Sequence, residues 1–245
     1  MIIGDVSEPA KAASTRLRDG LLDLLANDLV AIWLYGGQLD RLGSPGDVDL
    51  HCIVRSELTE SQLVCVRTLH EEIRDELRID ELDAWYVLVG EARSGDRPRD
   101  LNWPTLIRDE NWALKRAHWF AGAYVLVYGT SPETIVPRPR WPEVEAELLA
   151  QVERADTSDH PHPAGLTLRL CRVLLTLDTR DVVHFKVDGA VWAQSLVSPV
   201  SRDHVAAAIR IYRGEASAGD ADLVKQRMRA FYEELRSLVE AKTHA

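Results

Sequence analysis

The 245-residue chain predicts an α+β fold, a mixed sheet flanked by helices followed by an all-α helical bundle. Three observations predict it. Apolar runs of strand length fall only in the first half of the chain. The segment "ADTSDHPHPAG" (155–165) interrupts every periodic pattern, and beyond it apolar residues recur only at helical spacing. The expected domains are 1–157 and 158–245, with the boundary near Ser158, and an apolar fraction of 46% is enough for two cores.

Leu17, Leu21, Leu24 and Leu25 mark a first helix. "DLVAIWLY" (28–35) then reads as a buried strand stopped by Gly36 and Gly37. "VDLHCIV" (48–54) is a second strand. Thr59 and Gln62 form a capping-box pattern ahead of a helix carrying Leu63, Val66, Ile73 and Leu77 on one face. "ELDAWYVLV" (81–89) is a third strand that also starts with acidic residues. The Trp-rich segment around Trp103, Trp112 and Trp119 is helical in its second half, and "GAYVLVYG" (122–129) is a fourth strand. Pro142 suits the first turn of a helix after "VPRPRWP". In the second domain the stripe Leu166, Leu170, Val173, Leu174 and Leu177 and the segments 186–196, 202–214 and 222–241 are helices of a bundle.

Composition narrows the function. No apolar stretch is long enough to span a membrane, and the N-terminus lacks the order of a signal peptide, so a cytoplasmic monomer is expected. A formal net charge of −10 argues against nucleic acid as a partner and suits a cationic small molecule. Cys52, Cys65 and Cys171 are odd in number and show no C-x-x-C spacing, which reads as core thiols rather than disulfides or zinc ligands. His160 and His162 flank a proline with no further ligand at metal spacing and read as a loop.

The chemistry lies in "LYGGQLDRLGSPGDVDLHCIV" (34–54). On an extended strand, residues two apart share a face, so Asp47 and Asp49 aim both carboxylates one way while Val48 and Leu50 face the core. Such a pair calls for a divalent cation, and Mg²⁺ commonly takes one or two carboxylates together with substrate phosphates. A glycine turn at Gly36 and Gly37 lets backbone N–H groups approach those phosphates. A third carboxylate, from Asp80, Glu81 or Asp83, would complete the site as a metal ligand or a base.

The order strand, Gly-Gly, loop, D-h-D strand (h for apolar) and later acidic strand resembles the polymerase-β-like nucleotidyltransferase superfamily. Within it, "LTLRLCRVLLTLDTRDVVHFKVDGAVWA" (166–193) with "AIRIYRG" (208–214) is similar to the aminoglycoside adenylyltransferases that modify streptomycin and spectinomycin. The resemblance implies that Asp47 and Asp49 bind Mg²⁺ with ATP and that Gly36 and Gly37 form the phosphate turn. It makes Asp83 the general base and a further metal ligand, and Lys186 and Tyr212 nucleotide contacts, with ATP in the cleft between the domains. The implied reaction moves AMP from ATP to an antibiotic hydroxyl and releases pyrophosphate. Alternatives are the same chemistry on another small molecule or a protein hydroxyl, or a nucleotide-binding regulator without turnover.

Three positions depart from that family. Gly37 replaces a serine and Asp83 a glutamate. His162 is the counterpart of an acidic substrate-binding residue in the streptomycin-modifying members, and an imidazole does not hold a guanidinium as a carboxylate does. His162, Trp103 and Trp112 are the candidate substrate residues, the tryptophans as stacking surfaces.

Overall fold

The computed structural model describes residues 6–36, 47–102, 107–155 and 160–243. The chain forms two compact units, Met1–Arg140 and Trp141–Ala245.

In the first unit, helix α1 (Glu8–Leu25) is capped by Ser7 and buries Ala10, Ala13, Leu17, Leu21 and Leu25. Strand β1 (Leu29–Tyr35) follows a 3₁₀ turn, Ala26–Asp28. Strand β2 is Asp47–Val54, and helix α2 (Glu60–Leu77) opens with the expected capping box of Thr59 and Gln62. Strand β3 (Glu81–Leu88) runs directly into a short helix α3 (Val89–Ser94). Helix α4 (Trp112–Phe120), strand β4 (Val125–Gly129) and a single turn α5 (Pro132–Ile135) complete the unit. The fourth strand is shorter than the sequence suggests, because Gly122 takes a positive φ of 78° and turns the chain before the extended run begins.

The sheet order is β3-β2-β1-β4, with β1 antiparallel to both neighbours and β2 parallel to β3. The parallel pair requires a crossover, and α2 supplies it. Strand alternation then divides the core. Ile32, Leu34, Val48, Leu50, Cys52, Val54, Leu82, Ala84 and Tyr86 pack with α1 and α2. Ala31, Trp33, Tyr35, Ile53 and Val87 pack on the opposite side with Trp112 and Trp119. A sheet buried on both faces explains why its strands read as nearly continuous apolar runs.

The second unit is helical: α6 (Trp141–Glu153), α7 (Pro163–Thr179), α8 (Lys186–Ala193), α9 (Pro199–Tyr212) and α10 (Asp220–Thr243). Helix α6 precedes the boundary expected near Ser158, yet it packs on α7 and groups with the second unit. Helix α7 is buried almost all round, from Ala164 to Leu177, and α8, α9 and α10 pack against it. A Cβ at Gly189 would press on the Arg172 backbone, so glycine is what lets α8 lie directly on α7. Helix α9 starts earlier than its apolar pattern because Ser198 caps it and Pro199 fills its first turn.

Candidate active site

Asp49 and Asp83 are register partners across the parallel β2–β3 pair, and Asp47 pairs with Glu81 one step toward the strand starts. Residues in register on neighbouring strands share a face, so Asp47, Asp49, Glu81 and Asp83 form one acidic patch. Further along the same face lie Trp33, His51 and Trp85, then Ala31, Ile53 and Val87 of the aromatic-rich core. The acids therefore stand at the rim of that core: Asp47 is exposed, while Asp49 and Asp83 are half-buried. Burial is the largest influence on the Asp83 carboxyl and raises its pKa above the ordinary aspartate value. Lys115 pulls it back, and Glu81 adds to the rise.

Gly36 leaves β1 with φ +81°, a left-handed conformation that favours glycine. A side chain there would also overlap the Asp49 carboxylate, which lies against the Gly36 Cα. The glycine therefore gives room to the Asp49 carboxylate as well as turning the chain. Gly37 and Trp103 lie outside the described residues.

The donor set suits Mg²⁺: hard carboxylate oxygens, two on one strand and a third beside them. Among the described residues no three His, Cys, Asp or Glu side chains form a ready metal cage.

The sequence reading missed a buried polar network behind this patch. His51, fully buried on the acid-bearing face, has its Nε2 3.4 Å from Asp109 Oδ2, close enough for strong electrostatic influence but without the alignment of a hydrogen bond. Burial first, and Lys115 second, push His51 down to about 4, so it is neutral at pH 7. Lys115 Nζ donates to Asp109 Oδ2 at 2.8 Å, and the Asn111 N–H donates to Asp109 Oδ1 at 3.0 Å. Burial alone would raise Asp109, yet it titrates well below the ordinary carboxylate range because the Lys115 ammonium pairs with its charged form. "DENWALK" offers no sequence signal for this network, since Asp109 and Lys115 are not spaced as helix neighbours.

Asp100 is a further buried acid, 2% exposed. Its Oδ1 accepts the Tyr86 and Asn102 N–H groups, while its Oδ2 has no partner. Burial raises it to about 6. A carboxylate whose folded pKa exceeds its unfolded value weakens the fold wherever both states are ionised, and the penalty fades as the folded state takes up its proton. Asp100→Asn is therefore expected to stabilise the protein by about 1–2 kcal/mol at pH 7. The advantage should shrink between about pH 6 and 4. Urea unfolding of both proteins across that range checks it, and a pH-independent difference would refute the electrostatic cause.

In the helical unit the structure brings together two predicted residues far apart in sequence. Lys186 Nζ, at the start of α8, lies 5.6 Å from the centroid of the Tyr212 ring at the end of α9, and both are half-buried. His162 is exposed at the N-cap of α7, where its N–H donates to His160 Nδ1 at 3.1 Å. Trp112 is fully buried, edge-on to Trp119 at 5.3 Å, so the apolar packing of the second core accounts for its place.

Comparison with known proteins adds two findings. Residues 143–237 match the family model described as the aminoglycoside adenylyltransferase C-terminal domain. The fold is similar to that of the spectinomycin adenyltransferase AAD(9) from Enterococcus faecialis, solved with ATP and spectinomycin. The TM-score is 0.74 at 16% identity, covering 91% of this chain and 98% of that one. No curated protein matches the chain by sequence. The α+β architecture expected from the sequence is thus also the architecture of a solved adenyltransferase, and residues 143–237 of this chain's helical unit resemble the aminoglycoside adenylyltransferase C-terminal domain.

Proposed function

We propose that this protein transfers AMP from ATP to a hydroxyl of an aminoglycoside or aminocyclitol antibiotic, with Mg²⁺ bound and pyrophosphate released. The observation that carries the reading is the in-register pair of Asp49 and Asp83, with the Asp49 carboxylate seated on Gly36. The family match over 143–237 supports the acceptor class.

Asp47 and Asp49 would hold the metal, with Asp83 within the same patch as a further ligand. Bound Mg²⁺ supplies charge neutralisation on the triphosphate. Asp83 takes the proton of the attacking hydroxyl. Its raised pKa makes it a stronger base than an ordinary aspartate, and activity should fall on acidification at a higher pH than an unperturbed aspartate would give. Gly36 and Gly37 bring backbone N–H groups to the phosphates. Lys186 and Tyr212 contact the nucleotide, the first through charge and the second through its ring. The acidic balance of the chain favours a cationic acceptor in the cytoplasm.

Incubating the protein with Mg-ATP and a panel of aminoglycosides and aminocyclitols should give an AMP adduct, detected by mass, on at least one member. If no member is modified while pyrophosphate is still released with another hydroxyl compound, the acceptor assignment fails and the reaction assignment survives.

A further inference from the structure

Lys115 stands where the acidic patch meets the aromatic core. Its ammonium lies 4.6 Å from the centroid of the Trp85 ring and 5.4 Å from that of Tyr35. Tyr35 is the register partner of Asp49, and Trp85 follows Asp83 by two residues, so both rings lie on the face that carries the acids. The ion pair with Asp109 anchors the ammonium from behind: the carboxylate side chain is 2% exposed and the lysine 16%. The pair thus has its negative end inward and its positive end toward the rim. A lysine fixed by one buried carboxylate and two rings cannot swing into water without leaving Asp109 unpaired.

We propose that Lys115 is a tethered counter-cation of the Asp47, Asp49 and Asp83 patch, a positioning residue that disfavours a bare divalent ion there and favours its complex with a nucleoside triphosphate. The inference rests on the metal reading of the acidic patch given above. The sign follows from charge. A free dication is repelled by the fixed ammonium, whereas a magnesium–triphosphate complex carries net negative charge and is attracted to it. The metal is thereby loaded together with the nucleotide.

The test is calorimetric titration of the 245-residue chain with Mn²⁺ alone, and separately with the magnesium complex of a non-hydrolysable ATP analogue. Lys115→Gln keeps a hydrogen-bond donor for Asp109 and removes the charge. It is expected to bind Mn²⁺ on the order of tenfold tighter at low salt and the analogue complex several-fold more weakly, with both differences shrinking at high salt. Lys115→Arg should behave like the parent. Purely structural damage would weaken both ligands, so the opposed signs are the diagnostic. Mn²⁺ binding by Lys115→Gln that is no tighter than the parent's overturns the proposal. Should Lys115→Gln fail to fold by circular dichroism, Lys115→Met combined with Asp109→Asn removes the pair without orphaning a buried carboxylate. Net charge is then unchanged and only the excess effect of the outward ammonium is lost, so the same two signs are expected at smaller size, with Mn²⁺ binding no tighter than the parent's again overturning the proposal. The metal reading fails separately if Asp49→Asn binds Mn²⁺ as tightly as the parent.

Discussion

Asp49→Asn is expected to lower the rate of AMP transfer by on the order of 10³-fold with little change in stability. The asparagine keeps the size of the aspartate and one acceptor oxygen, so it still fits over the Gly36 Cα. It loses the negative charge that a hard cation requires. Asp49 is half-buried at the rim of the sheet, register partner of Asp83, so an isosteric substitution should not destabilise the sheet. Pyrophosphate release at saturating ATP measures the rate, and thermal unfolding verifies the fold. A rate within tenfold of the parent, with the fold intact, would show that Asp49 does not hold the metal. Asp83→Asn serves as the companion, because losing a base and losing a metal ligand differ in their readouts. The Asp49 change should abolish Mn²⁺ binding without nucleotide, whereas the Asp83 change should only weaken it.

The acids were legible because strand geometry is periodic. Asp47 and Asp49 two apart on a strand must share a face, and the structure puts Asp83 of the neighbouring strand in register with Asp49. Which of Asp80, Glu81 and Asp83 stands there is a matter of register, and register is not written in local sequence. Lys186 and Tyr212 could be singled out only by family likeness, since their 5.6 Å approach depends on how α8 and α9 pack on α7. Trp112 shows the opposite limit. A tryptophan looks the same in sequence whether it stacks on a ligand or fills a core, and here Trp33, Trp119 and His51 surround it or its neighbours in the fully buried cluster. The link from His51 to Lys115 through Asp109 was invisible because it joins a strand, a loop and a helix through tertiary packing alone.

Asp109→Ala is expected to have the largest effect on stability, a loss of about 3–5 kcal/mol at pH 7. The carboxylate is 98% buried and supports three groups at once: it pairs with Lys115, accepts the Asn111 N–H and sits beside His51 Nε2. Alanine would leave a mostly buried ammonium over Trp85 and Tyr35 with no counter-charge, and would strand a backbone donor. The pH dependence identifies the cause. The pKa of Asp109 is depressed in the folded state, so its stabilisation is complete above the unfolded aspartate pKa and is lost as pH falls through the folded value. The gap between parent and variant should therefore be constant from neutral pH down to about 5 and narrow in stronger acid once the opposing contribution of His51, followed by its own titration, is subtracted. His51 acts in the same direction in the parent. Its pKa of about 4 lies below the unfolded value, so acidification below about 6.5 favours the unfolded state, which binds the proton first. Removing Asp109 should lower the folded-state His51 pKa further, since the carboxylate is what raises it against burial and Lys115. Urea unfolding at intervals from pH 7 to 3 measures the gap, and nuclear magnetic resonance of the His51 ring follows its titration. A gap that stays constant through the acid limb would mean that Asp109 acts by shape rather than charge.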